Sequence, residues 1–216
     1  MRDVQGWNRW ASTHSLIAAK IKGADRNNLP AYFQSLHATT EALFRQILFV
    51  GLRLNRVTYK EAQDWLHIHD RTPDDNHYPK LFDRLYAVKP VTWVGLKSQH
   101  PRLEQSLDLW HDFTKGIRNH LAHGVRRYPD EWLESAILVD QYLLIELDSA
   151  MATVVGGSIS NHLAKLTPRL PVGKTGHDFF KLTGVKQKQP RPKLSLLAAQ
   201  KQLEVLGSLP TGRLSP

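Results

Sequence analysis

The chain has no cysteine among its 216 residues. Disulfides, thiolate nucleophiles and cysteine-ligated zinc are excluded together. It also lacks any run of eighteen apolar residues, so no segment reads as a membrane-spanning helix. The opening residues, Met1-Arg2-Asp3-Val4-Gln5-Gly6-Trp7, have no apolar signal-peptide core, and a cytoplasmic location is expected. Acidic side chains are scarce in the last quarter: residues 165–216 hold Asp178 and Glu204 against ten Lys and Arg. Residues 1–164 carry 19 basic and 18 acidic side chains. Almost all of the formal charge of +9 therefore sits in the C-terminal quarter. A basic segment of this kind favours RNA, DNA or another polyanion through phosphate contacts. A solvated, solubilising tail is the alternative.

What is present is helical periodicity, and the fold class it predicts is all-α. Trp10, His14, Ile17 and Ile21 step by four, three and four along one helix face. Pro30 can open a second helix, with Leu36, Leu43, Ile47, Val50 and Leu54 on one stripe. Thr58 and Glu61 have capping-box spacing for a short third helix to about His67. Asp70–Asn76 is a polar loop, and Tyr78–Val88 reads as a further short helix. Pro90–Val94 reads as a strand, the sole one in the chain. Pro101 starts a helix whose Leu103, Leu107, Trp110, Ile117 and Leu121 face the core, with Gly124 as its stop. Glu131–Val155 forms another long helix through Leu133, Ile137, Leu144, Leu147 and Met151, ended by Gly156-Gly157. Periodicity fails near Leu166, where prolines and glycines interrupt every pattern. Residues 1–164 are expected to form a helical domain and residues 165–216 a basic, largely extended arm. Within the arm, Leu196, Ala199, Leu203 and Leu206 restore helical spacing before Gly207. A helix that short needs a surface to dock on, either the body of the protein or a partner.

Chemistry concentrates in Lys115-Gly116-Ile117-Arg118-Asn119-His120-Leu121-Ala122-His123-Gly124. An arginine is a permanent cation that clamps phosphate through two N–H groups. A histidine is the side chain best suited to moving protons near neutral pH. Together they can cut RNA without a metal. Five helical steps place Arg118 and His123 about 140° apart, so the two do not share a ridge. Asn119 and His123, four apart, do share a face. With Gly124 ending the helix, His123 can turn toward a common cleft. Antiparallel pairing of two copies would also bring Arg118 of one near His123 of the other. A plainer role exists for the same residues, because Arg and His at a helix C-terminus complement its dipole and cap free carbonyls.

The string Arg118-Asn119-x-x-x-His123 resembles the signature of HEPN domains: arginine, a polar residue, three arbitrary residues, histidine. Leu121-Ala122-His123-Gly124 is similar to many bacterial members, as is the helical order, across roughly residues 30–160. The resemblance implies a HEPN-like helical bundle and a metal-independent endoribonuclease that acts as a symmetric dimer, often a toxin or antiviral effector. The RNA 2′-hydroxyl would attack the adjacent phosphorus, leaving a 2′,3′-cyclic phosphate and a 5′-hydroxyl. His123 would be the general base or acid. Arg118 would hold the phosphate and stabilise the pentacovalent transition state. Asn119 would orient the histidine or bind a phosphate oxygen. No cofactor is implied, and a neutralising or regulatory protein partner is expected by analogy. Some domains of this type bind without catalysis, so a helical adaptor for nucleic acid or protein is the alternative.

Around the motif, His120 either lines the cleft or faces solvent, since His-x-x-His alone is half a zinc site. Glu41, four residues after His37, could reach the motif helix as an accessory group or remain a surface pair. Arg126 and Arg127 would extend the phosphate track as substrate contacts. The six tryptophans read as core or interface anchors, with base stacking open to any exposed one. His67-Ile68-His69-Asp70 reads as a solvated helix end. Gly173-Lys174-Thr175 is no P-loop, because the first glycine of that motif is missing.

Overall fold

The computed structural model describes residues 29–55, 57, 62, 66, 77–124, 127–157, 159 and 194–207. Among these residues the fold is all-α, with no strand. Among the described residues six helices have both ends defined: α1 Leu29–Leu54, α2 His77–Leu85, α3 Trp93–Gln99, α4 over residues 101–122, α5 Asp130–Val155 and α6 Leu196–Leu206. None is long and apolar enough to cross a membrane. The expected helix around Trp10–Ile21, the loop at 70–76 and the Gly-Lys-Thr segment lie outside the described residues. Of the expected third helix only Ala62 and Leu66 are described, and both are helical.

The chain divides into two compact units. One contains residues 42–99 and 148–159, as far as they are described; the other contains 29–41, 100–147 and 194–207.

The first unit is organised by aromatic rings. Trp93 meets Phe82 and Tyr78 edge-on at centroid distances of 5.1 and 5.3 Å, and Tyr78 meets Phe44 at 5.6 Å. Such edge contacts suit the ring quadrupole. The two buried phenols are satisfied by carbonyls of α1: Tyr78 Oη donates to Phe44 O at 3.1 Å and Tyr86 Oη to Ile47 O at 2.7 Å. The Pro90–Val94 segment is not a strand. Residues 86–90 turn, and α3 starts at Trp93. Two side chains decide this: Asp83 Oδ1 accepts the Trp93 N–H at 2.5 Å, and Thr92 Oγ1 accepts the Gly95 N–H at 3.0 Å. These caps satisfy donors that a helix start leaves free, and they override the β-preference of Val91-Thr92-Trp93-Val94.

Gly51 is where α1 lets α2 approach. A Cβ there would stand 2.8 Å from Leu85 Cβ and 3.0 Å from Tyr86 Cε2. Gly51→Ala is therefore expected to destabilise by about 1–3 kcal/mol through overpacking. Gly116, also helical, has nothing within 4 Å of such a Cβ. Gly116→Ala should stabilise by about 0.5–1 kcal/mol through backbone entropy alone. Thermal melts of the two variants should shift in opposite directions.

Asp148 sits at the end of the same unit, accepting the Ile159 N–H through Oδ1 at 3.2 Å. Burial pushes its carboxyl above the usual range, and the backbone hydrogen bond opposes that only in part. The folded chain thus favours the neutral acid. That contribution is complete below the ordinary carboxylate pKa and is lost as pH rises through the raised folded value. Asp148→Asn keeps an acceptor without the charge. It should raise the melting temperature near about pH 7 and give no gain below about pH 3.

In the second unit α4 carries the motif. Pro101 stands at its first turn, as expected. The helix then widens into a π-helical turn at Trp110–Thr114 before resuming as Lys115–Ala122. Within the turn the Trp110 carbonyl accepts the Lys115 N–H and also the Thr114 hydroxyl, the latter at 2.8 Å. Trp110, Phe113 and Thr114 are buried there. α5 is buried through Leu133, Ala136, Val139, Leu143, Leu144 and Leu147, which cover more than one face, so it reads as a core helix. Asp140 and Gln141 are buried in the same helix.

α6 docks on the body. It packs against Pro101–Leu109 and buries Ala199 and Leu206. Ser195 caps its start by accepting the Ala198 N–H, and Tyr142 Oη donates to the Gly207 carbonyl at its end. The Leu194 N–H donates to Asp112 O inside the π turn at 2.9 Å.

Candidate active site

Lys115–Ala122 ends where the sequence predicts. His123 leaves helical geometry at φ −97°, ψ 3°, and Gly124 takes φ 63°, which favours glycine. The His123 N–H donates to Asn119 O at 3.1 Å and the Gly124 N–H to Leu121 O at 3.2 Å. The motif's last residue is thus the helix cap itself. His123 is exposed, and its side chain makes no hydrogen bond, ion pair or ring contact among the described residues.

Arg118 is held from two sides. Its Nη1 donates to Asn119 Oδ1 at 3.1 Å and its Nη2 to Glu41 Oε2 at 3.4 Å. The Arg118 side chain is 37% exposed and that of Glu41 24%, so the guanidinium is pinned yet open to solvent. Glu41 thereby meets the motif helix across 77 residues of sequence. Asn119 accepts from Arg118, and no side-chain hydrogen bond or ion pair joins either to His123 among the described residues.

Behind Glu41 stands a buried pair. His37 and Asp140 are both fully buried, with Nδ1 to Oδ2 at 3.1 Å. A carboxylate oxygen only accepts, so Nδ1 carries the hydrogen and Nε2 faces Glu41 Oε1 at 3.8 Å. Phe33 and Trp110 wall the imidazole in. The Trp110 ring lies nearly parallel to it, 11° apart in plane with centroids 5.0 Å apart. Removing a carboxylate from water costs several kcal/mol, which a hydrogen-bonded partner must offset. The result is a row running Asp140, His37, Glu41, Arg118, Asn119 from core to surface.

His120 turns elsewhere. Its Nδ1 is 2.5 Å from Tyr128 Oη, and the two rings are 9° from parallel. Tyr128 in turn meets Trp132 at 5.5 Å, and Trp132 stacks on Phe113 of the π turn at 5.5 Å. Arg127 is exposed, and Arg126 lies outside the described residues.

Sequence reasoning did not pick out His37, Asp140 or Tyr128 as site residues. One signal existed for Asp140: it is a lone acid inside Ala136-Ile137-Leu138-Val139-Asp140-Gln141-Tyr142-Leu143-Leu144. An acid in an apolar helix needs a buried partner. Comparison with protein-family models, curated proteins and solved structures returns no match.

Proposed function

We propose that the chain is a metal-independent endoribonuclease of the HEPN type, active as a homodimer. The observation that supports this best is Arg118: a pinned but solvent-open guanidinium on a helix that ends at exposed His123. A fork already ordered by Asn119 and Glu41 loses less freedom when it takes a phosphate. The π-helical turn just upstream adds support, because such turns concentrate at functional sites.

In this reading Arg118 binds the non-bridging oxygens of the scissile phosphate, and its charge stabilises the pentacovalent transition state. A histidine takes the proton from the 2′-hydroxyl as that oxygen attacks phosphorus. The P–O5′ bond breaks, and a second histidine supplies the proton to the departing 5′-oxygen. The helical offset between Arg118 and His123 fits a site completed by a second copy, with one His123 as base and the other as acid. The basic C-terminal quarter and Arg126 and Arg127 extend the track for RNA. The setting would be the cytoplasm, as a toxin or antiviral effector restrained by a neutralising or regulatory protein.

The Glu41 ion pair also favours a second reading. An arginine already matched by a carboxylate can be a structural tie, and His123 a helix cap. The chain is then a non-catalytic adaptor for nucleic acid or protein. RNA oligomers with and without a single 2′-deoxy substitution at the cut position separate the two. The ribonuclease cuts the unsubstituted oligomer and spares the substituted one, whereas an adaptor spares both.

A further inference from the structure

We propose that His37 and Asp140 are positioning residues for Arg118, acting through Glu41; the kinetic part of this rests on the ribonuclease reading, the structural part does not. Three distances carry it. Asp140 Oδ2 holds His37 Nδ1 at 3.1 Å, His37 Nε2 faces Glu41 Oε1 at 3.8 Å, and the other Glu41 oxygen takes Arg118 Nη2 at 3.4 Å. Of the two Glu41 oxygens, Oε2 accepts from Arg118 Nη2 at 3.4 Å and Oε1 lies 3.8 Å from His37 Nε2, within ion-pair but not hydrogen-bond distance. The Glu41 rotamer therefore answers both to the buried imidazole and to the guanidinium.

Burial decides the direction of control. His37 and Asp140 are fully buried, whereas Glu41 and Arg118 are partly exposed. The imidazole cannot swing, because it lies against Trp110 on one side and Phe33 on another. Among the described residues its Nε2 makes no hydrogen bond, which leaves Glu41 as the polar group it faces. A buried inner pair thus meets partly exposed outer side chains, and rigid second neighbours are what hold a reacting group in place. A core that needed only stability would not require the pair, since well-packed apolar residues of similar volume often replace buried ion pairs at no loss.

That contrast supplies the test. The double variant His37→Phe/Asp140→Leu keeps a ring beside Trp110 and removes both polar groups. Asp140→Asn keeps the shape and an acceptor for Nδ1, and provides a second variant should the double one fail to fold. The readouts are the Arg118 Nε–H resonance and its relaxation, assigned by its loss in Arg118→Lys, together with the melting temperature and RNA cleavage. Both variants are expected to shift and loosen the Arg118 signal in the direction that Glu41→Gln does, the double variant more. At an unchanged or raised melting temperature, kcat should fall by about 100-fold while KM changes by less than about twofold. A folded variant whose Arg118 signal stays at the wild-type position overturns the proposal. If the signal moves as expected but wild-type protein leaves RNA intact, the positioning role stands and the ribonuclease reading fails.

Discussion

Arg118→Ala is expected to lower RNA cleavage by about 10²–10³-fold, the loss seen when one preorganised donor to a developing oxyanion is removed. The guanidinium is 37% exposed and its Glu41 partner 24% exposed, so the ion pair contributes at most about 1 kcal/mol to stability. The melting temperature should therefore stay within a few degrees of wild type, and the defect belongs to the reaction. Arg118→Lys should recover little, because an ammonium cannot bridge Asn119, Glu41 and a phosphate in one plane. His123→Ala should fall by about 10²–10⁴-fold, as removal of a general acid or base does. It is exposed at the helix cap, so its loss leaves packing untouched. Single-turnover rates and melts on the same preparations check both statements. Loss of cleavage that tracks loss of fold would point instead to a structural arginine.

Trp110→Ala should have the largest effect on stability, about 3–5 kcal/mol. The indole is fully buried, and it opens the π-helical turn of α4. It also lies against His37, so truncation leaves a cavity beside a buried polar pair rather than beside apolar side chains alone. Water entering there would loosen the His37–Asp140 hydrogen bond. At 2–4 °C per kcal/mol for a chain of this size, the melting temperature should drop by about 10 °C. Trp110→Phe, which retains a ring, should lose less than half as much. Thermal unfolding followed by circular dichroism measures both. Equal melting temperatures for wild type and Trp110→Ala would mean that the indole does not anchor this unit.

Much of the helical frame can be read directly from residue spacing. Pro101 and Gly124 bracket the motif helix, and Leu133, Ile137, Leu144, Leu147 and Met151 are all buried as their period requires. Leu36, Leu43, Ile47 and Val50 are buried on α1, while Leu54 and Leu121, near helix ends, are only partly so. The Pro90–Val94 segment misleads because its β-branched and aromatic residues speak for a strand. Its fate rests instead on caps, one from Thr92 nearby and one from Asp83 ten residues away. The π turn leaves no mark in an apolar pattern, since one extra residue in a turn hardly disturbs a stripe sampled every three or four positions. The short C-terminal helix is legible as a helix, but its docking on Pro101–Leu109 is a tertiary fact.

The motif itself is legible because its residues are contiguous. Its supports are not. Asp140 lies 103 residues from His37, and no local pattern ties them. The lone acid in an apolar helix indicates that a partner exists without saying which residue it is.

The most direct measurement of the central claim is the chemistry of the RNA ends. Wild-type protein would be incubated with RNA in EDTA beside Arg118→Ala and His123→Ala, and the products mapped. Cleavage by wild type alone, leaving 2′,3′-cyclic phosphate and 5′-hydroxyl ends, is the predicted result. Intact RNA in every reaction, from folded protein that still binds it, would contradict a ribonuclease and leave Arg118 as the anchor of an adaptor.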